Sequence, residues 1–239
     1  MRRAAPGVME YEVAAELVHE FHRQRAEIAY QPIVGGGANA CVLHYRDNAA
    51  ELKDGDLLLI DAGCEYQCYA SDITRTFPVN GRFTAVQRAV YEVVLEAQHA
   101  AIAACVAGNH WNDPHDAAVR VITQGLVHLG FLKGKLAKLI KDGAYRDWFM
   151  HRTGHWLGID VHDVGDYKVG DAWRVLEPGM VLTVEPGLYV AKDCTDVDPN
   201  WRGIGIRIED DVLVTKDGCD VLTAAAPKTV REIEECMRS

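Results

Sequence analysis

A chain of 239 residues, 49% apolar and 25% charged, has the composition of a folded globular domain with room for a sizeable core. Its formal net charge of −10 excludes nucleic acid as the main partner, and no apolar run approaches the length of a membrane span. Seven cysteines without a CxxC pair support neither a zinc ribbon nor a disulfide scaffold, and the start lacks a signal-type apolar segment, so a cytoplasmic chain with reduced thiols is expected.

In chain order, residues 10–28 place Val13, Leu17, Phe21 and Ile28 near one helical stripe. Residues 32–38 interrupt it with three consecutive glycines. Without a following GK[ST] they read as a turned loop, not a phosphate cradle. Residues 41–45 are strand-like and carry His44. Residues 57–77 read as a hairpin turning through 63–67, with Asp61 at the end of an apolar strand and Asp72 beyond the turn. Aspartate is depleted from strands and costly to bury unless paired or met by a cation. Eleven positions separate the two, which would put them on opposite faces of one straight strand; a hairpin removes that objection.

Thr84 to Gln87 has the form of a capping box opening a helix towards Gly108. A second helix is expected after Asn112-Asp113-Pro114, ending near Gly130, and residues 133–142 read as a short basic helix closed by Gly143. From Asp147 the pattern changes to strands over 154–164, 180–190 and 204–215, separated by glycine and proline turns. No Pro-, Ser- or Gly-rich linker divides the chain, so 1–239 reads as one domain, with a coarse helix-then-acidic-strand order in each part.

In residues 203–211 the period of two puts Ile204, Ile206 and Ile208 on one face and Arg207 and Glu209 on the other, with Gly205 leaving space beside them. A solvated strand has the same pattern. Glu185 stands at a strand end before Pro186-Gly187. His151 and His155 have the spacing of a helical zinc pair, but Arg152 replaces the expected glutamate and Gly154 and Gly158 oppose a helix. Asp61, Asp72, His155, Glu185 and Glu209 would make an oxygen-rich set suited to harder divalent ions such as Mn²⁺. Four carboxylates carry enough charge for two ions about 3.5–4 Å apart, although spacing alone leaves their convergence open.

The motifs NACVLHY, LLIDAGCEYQCYASDITRTF, HWLGIDVHDVG, VLTVEPGLY and GIGIRIEDD, in this order between about residues 7 and 222, resemble those of the Xaa-Pro aminopeptidases (aminopeptidase P), a branch of the pita-bread metallopeptidases. The resemblance implies an α+β pita-bread fold, a curved antiparallel sheet covered by helices in pseudo-two-fold halves. It implies hydrolysis of the bond between an N-terminal residue and a following proline by a metal-bridging hydroxide. The family's ligands fall on Asp61, Asp72, His155, Glu185 and Glu209. Asp61 and Glu185 would bind one ion each, Asp72 and Glu209 would bridge, and His155 would complete the second ion's shell. Two divalent ions are implied, Mn²⁺ foremost, with Co²⁺ or Zn²⁺ as alternatives.

Pocket residues fall on His44, His151, His162, Tyr189 and Arg207. His44 and His162 would contact the scissile carbonyl or the prolyl side. Arg207 would orient a carboxylate or relay protons, and Glu185 would exchange protons with the hydroxide, with His151 and His162 in the catalytic set. The complete ligand set argues against creatinase, a relative that works without metal. Members of this branch carry a further N-terminal domain that shapes the pocket and the oligomer, and this chain is expected to lack it. The alternatives are a prolidase cutting Xaa-Pro dipeptides, and a truncated, inactive module that only binds.

Overall fold

Helix α1, Glu10–Arg23, carries glutamates in its first turn, and the Glu12 carboxylate accepts the Met9 N–H at 2.8 Å. It stops short of residue 28 because Arg25 turns left-handed at φ 62°, and Ile28 belongs to strand β1, Glu27–Ile28. The computed structural model describes residues 1–238. The glycine run is not a loop throughout: β2, Ile33–Gly36, leads into a 3₁₀ helix, Gly37–Cys41. The strand expected over 41–45 does not form, and His44 stands on a turn.

A buried carboxylate explains that turn. Glu10 accepts hydrogen bonds from the Gly36 N–H (2.7 Å), Asn39 Nδ2 (2.9 Å), the Tyr45 hydroxyl (2.8 Å) and the Ala50 N–H (2.9 Å). Tyr45 and the residues on either side of the segment therefore converge on one charge, which holds the chain in a turn. Glu10→Ala would strand four buried or half-buried donors, each worth roughly 1 kcal/mol or more. Its expected cost is about 3 kcal/mol in a urea titration.

β3, Leu57–Ala62, pairs antiparallel with a later strand through Asp61 and Thr74. Between them β4, Cys64–Tyr66, and β5, Tyr69–Ala70, form a small hairpin that joins β1. Its tip is Gln67-Cys68, both at positive φ (51° and 63°) as a two-residue hairpin turn requires, so the turn sits at the far end of the expected 63–67 and runs one residue past it. β6, Ile73–Pro78, completes the order β2-β3-β6. Asp61 and Asp72 are thus brought together across the β3–β6 pair, as the hairpin reading requires.

Helix α2, Ala85–Ala103, begins at the expected capping box: Thr84 Oγ1 accepts the Gln87 N–H, and Gln87 Oε1 accepts the Thr84 N–H. α3, Asp113–His128, has its proline in the first turn and packs along α2. α4, Leu136–Asp142, ends on left-handed Gly143.

The strand expected over 154–164 is absent, apart from a single bridge between Trp156 and Leu182. Gly154 lies so close to Thr183 that a Cβ would stand 2.0 Å from its carbonyl oxygen. The irregular backbone here is tied to residues 181–183 by two bonds, from the Thr183 N–H to the His155 carbonyl (3.0 Å) and from the Leu157 N–H to the Val181 carbonyl (3.2 Å). A small hairpin follows, β7 (Lys168–Val169) with β8 (Ala172–Trp173). The two remaining expected strands each split. β9, Val181–Val184, and β10, Gly187–Val190, part at Pro186; β11, Ile204–Arg207, and β12, Asp210–Val214, part at Ile208-Glu209. β12 lies between β9 and β13, Cys219–Val221, while β10 pairs with β11.

Helix α5, Val230–Arg238, which the sequence reading left out, seats Val230 and Ile233 in the core. Every named strand pairing is antiparallel. The core joins Leu58 and Phe77 to Ile206, Ile208 and Val212, with Tyr91 and Ile122 from the helices. Gly205 does not leave open space beside Arg207. A Cβ there would meet the Ala40 carbonyl oxygen at 2.3 Å, so its absence lets the Gly37–Cys41 turn close onto β11 and bring His44 to the sheet.

Candidate metal centre

The strand ends gather their acids in a cavity of about 550 Å³. Asp61 comes from β3, Asp72 from the residue before β6, Glu185 from the step between β9 and β10, and Glu209 from the step between β11 and β12. His155 reaches it from the irregular segment before β9. All five line the cavity, together with His44, His151, His162 and Arg207; Tyr189 stands behind them, its hydroxyl bonded to His151 and Arg207.

The tightest group is Asp72, His155 and Glu209, which place one donor atom each within 4.8 Å of one another. His155 Nε2 lies 3.4 Å from Asp72 Oδ2 and 3.7 Å from Glu185 Oε1. Its Nδ1 faces the Trp156 carbonyl at 2.9 Å, which can only accept, so Nδ1 carries a proton and Nε2 is the atom turned into the acids, where a cation would take its lone pair. The Glu209 N–H donates to the Thr74 carbonyl (3.1 Å), and the Thr74 hydroxyl donates to Glu209 Oε2 (2.6 Å). The Asp72 N–H is held by Asp211 Oδ2 at 3.1 Å.

Tyr30 joins Asp61 to Asp72: its hydroxyl contacts Asp61 Oδ1 at 2.5 Å and also Asp72 Oδ1. Sequence reasoning missed Tyr30 and Thr74. Neither carries a spacing signature, and Tyr30 reaches the site because it lies between β1, which pairs with β4, and β2, whose Ile33 pairs with Asp61. Arg207 Nη2 donates to Asp61 Oδ2 at 2.5 Å, and Nη1 donates to the Tyr189 hydroxyl at 3.1 Å. His151 Nδ1 faces the Arg152 carbonyl (2.7 Å), so Nε2 accepts from the Tyr189 hydroxyl (2.9 Å). The result is a directional chain from Arg207 through Tyr189 to a neutral His151. Burial, with Arg207 nearby, pushes the His151 imidazole down to about 3.

The donor set fits divalent cations. Burial, reinforced by the neighbouring acids, holds the Glu209 carboxyl well above the usual carboxylate range and pushes Glu185 up to about 7. Asp61 is raised by burial, against the pull of Arg207. Among the described residues lining the acids, Arg207 is the one guanidinium in contact with them, and it is committed to Asp61. Four crowded carboxylates with one imidazole lone pair form a cage short of positive charge, which hard, oxygen-preferring divalent ions would supply.

An antiparallel pita-bread body closing on such a cage is the architecture of a metallopeptidase. The chain belongs to metallopeptidase family M24, which matches residues 1–216. It is 53% identical over 238 residues to the Xaa-Pro aminopeptidase of Haemophilus influenzae, covering 99% of this chain and 55% of that protein. Against the Escherichia coli Xaa-Pro aminopeptidase the identity is 52%, over 99% of this chain and 54% of that one. The solved structure of Pseudomonas aeruginosa aminopeptidase PepP superposes with a TM-score of 0.97 at 61% identity, covering 98% of this chain and 53% of that one. The chain spans about half the length of the relatives it matches.

Proposed function

We propose that residues 1–239 form a single catalytic domain of an Xaa-Pro aminopeptidase, which hydrolyses the bond between an N-terminal residue and a following proline. The observation that carries this reading is the convergence of Asp61, Asp72, His155, Glu185 and Glu209 on one cavity, beside the Arg207–Tyr189–His151 chain. The naming of the curated relatives supports the proline preference.

The five acid and imidazole side chains would hold two divalent ions, Mn²⁺ foremost. When bound, the ions supply Lewis acidity and lower the pKa of the attacking water. The chain's own residues do the rest. Glu185, at the edge of the cluster and only partly exposed, takes and returns the proton of the attacking water. His44 and His162 flank the position of the scissile carbonyl and the prolyl ring; the His162 ring lies 4.2 Å from that of His155. Neutral His151, both of its ring nitrogens engaged by the Arg152 carbonyl and the Tyr189 hydroxyl, lines the cavity without adding charge, and Arg207 holds Asp61 in place.

A three-peptide panel with Mn²⁺-loaded protein tests this. Cleavage of an Xaa-Pro-Yaa tripeptide with release of the first residue is expected, and an Xaa-Ala-Yaa control is expected to stay intact. Cleavage confined to the Xaa-Pro dipeptide would favour a prolidase, and cleavage of none would sink the enzyme reading.

A further inference from the structure

The catalytic cavity does not end at its acids. A second groove of about 490 Å³ adjoins it, and the two share His151, Arg152 and Trp173 as lining. Beyond that divide the groove carries Arg146, with Asp116 and Tyr145. Neither Arg146 nor Arg152 forms an ion pair among the described residues.

Arg152 is instead aimed by neutral partners. Its guanidinium lies 5.3 Å from the centre of the Trp173 ring, and Nη2 donates to Asn112 Oδ1 at 2.5 Å. Lys168 stands over the same ring at 4.5 Å and adds to the positive charge at this end. A guanidinium held flat and oriented, with donors to spare, is suited to a carboxylate.

The two ends of the composite channel therefore differ in net sign: four carboxylates beside Arg207 at one end, and Arg146, Arg152 and the nearby Lys168 beside the single acid Asp116 at the other. A peptide is a dipole of the same kind. In an aminopeptidase only one residue precedes the scissile bond, and its ammonium is attracted by acids and repelled by arginines. The rest of the substrate must run away from the cage.

We propose that the groove beyond Arg152 is the downstream subsite of the peptide, in which Arg152, with Arg146 behind it, binds a carboxylate of the substrate. This rests on the aminopeptidase reading for its direction. Two sources share that chemistry: the C-terminal carboxylate of a short peptide, or an acidic side chain of a longer one.

The test is a binding titration followed by tryptophan fluorescence, with Mn²⁺-loaded protein and three probes that lack a scissile Xaa-Pro bond: Pro-Leu, Pro-Leu-amide and Pro-Asp-amide. Pro-Leu is expected to bind about 5- to 10-fold more tightly than its amide, the scale of one partly exposed charge-assisted hydrogen bond. Arg152→Gln should bring that ratio to about 1, and Arg152→Lys should restore part of it. Tight binding of Pro-Asp-amide would assign the site to acidic side chains as well; weak binding would restrict it to the chain terminus. Equal affinities for all three probes, no binding of any, or an unchanged ratio in Arg152→Gln would each overturn the proposal. Cleavage of Xaa-Pro-Leu in the same preparation reports on the reaction separately. A carboxylate preference without cleavage would sink the aminopeptidase reading and leave the subsite standing.

Discussion

His155→Ala is expected to lower kcat/KM on an Xaa-Pro-Yaa peptide by on the order of 10³-fold or more, the rate equivalent of the several kcal/mol that metal Lewis acidity supplies. The imidazole is the one nitrogen donor of the proposed ligand set, and its tautomer is set by the Trp156 carbonyl. Its side chain is largely buried at the cavity wall, and the variant should keep the wild-type circular dichroism. Chelation should produce the same loss in the native chain and be reversed by Mn²⁺ or Co²⁺. Full activity after chelation, or in His155→Ala, would remove the metal from the mechanism.

Arg75→Met is expected to cost about 3–5 kcal/mol in stability, the range for removing one partner of a buried ion pair. Arg75 and Asp210 are both buried, with Nη2 2.7 Å from Oδ1. Arg75 also donates to the Glu209 carbonyl (2.5 Å), the Thr74 carbonyl (3.0 Å) and the Pro227 carbonyl (3.1 Å). Asp210 in turn accepts from Lys228 (2.7 Å), Gln98 (2.6 Å) and Thr223 (2.6 Å). Burial alone would raise the Asp210 carboxyl, yet Arg75 and these donors hold it below its ordinary value.

This network joins β6 to β12, α2 and the C-terminal segment, and it fixes the backbone of Glu209. Arg75→Met should therefore weaken metal binding as well as folding. The double variant Arg75→Met/Asp210→Leu should lose less than the sum of the single losses, because no uncompensated charge remains. A urea midpoint for Arg75→Met within about 1 kcal/mol of wild type would contradict this account of how the two halves are joined.

What the sequence made legible was mostly local. The Thr84–Gln87 box, the proline opening α3 and the glycine closing α4 each act within one helical turn, and each is found where expected. The pairing of Asp61 with Asp72 followed from alternation and the need for a hairpin, although the tip falls at Gln67-Cys68, residues that carry no turn signature. The failures share a cause. Residues 41–45 lie between groups that Glu10, some thirty positions away, gathers from Asn39, Tyr45 and Ala50, and residues near Gly154 follow the edge of β9 through a few backbone bonds that make a single bridge. Such contacts leave no periodicity to read.

The site divides in the same way. Its five ligand-type residues were legible from residue chemistry and motif order, whereas Tyr30 and Thr74, which hold three of those carboxylates, have no pattern of their own.

Metal content tests the central claim most directly. Protein purified with Mn²⁺ and desalted should retain about two ions per chain, falling sharply in Glu209→Ala, whose carboxylate stands in the tightest part of the cage. A folded wild-type chain that retains no divalent ion under those conditions would contradict the account.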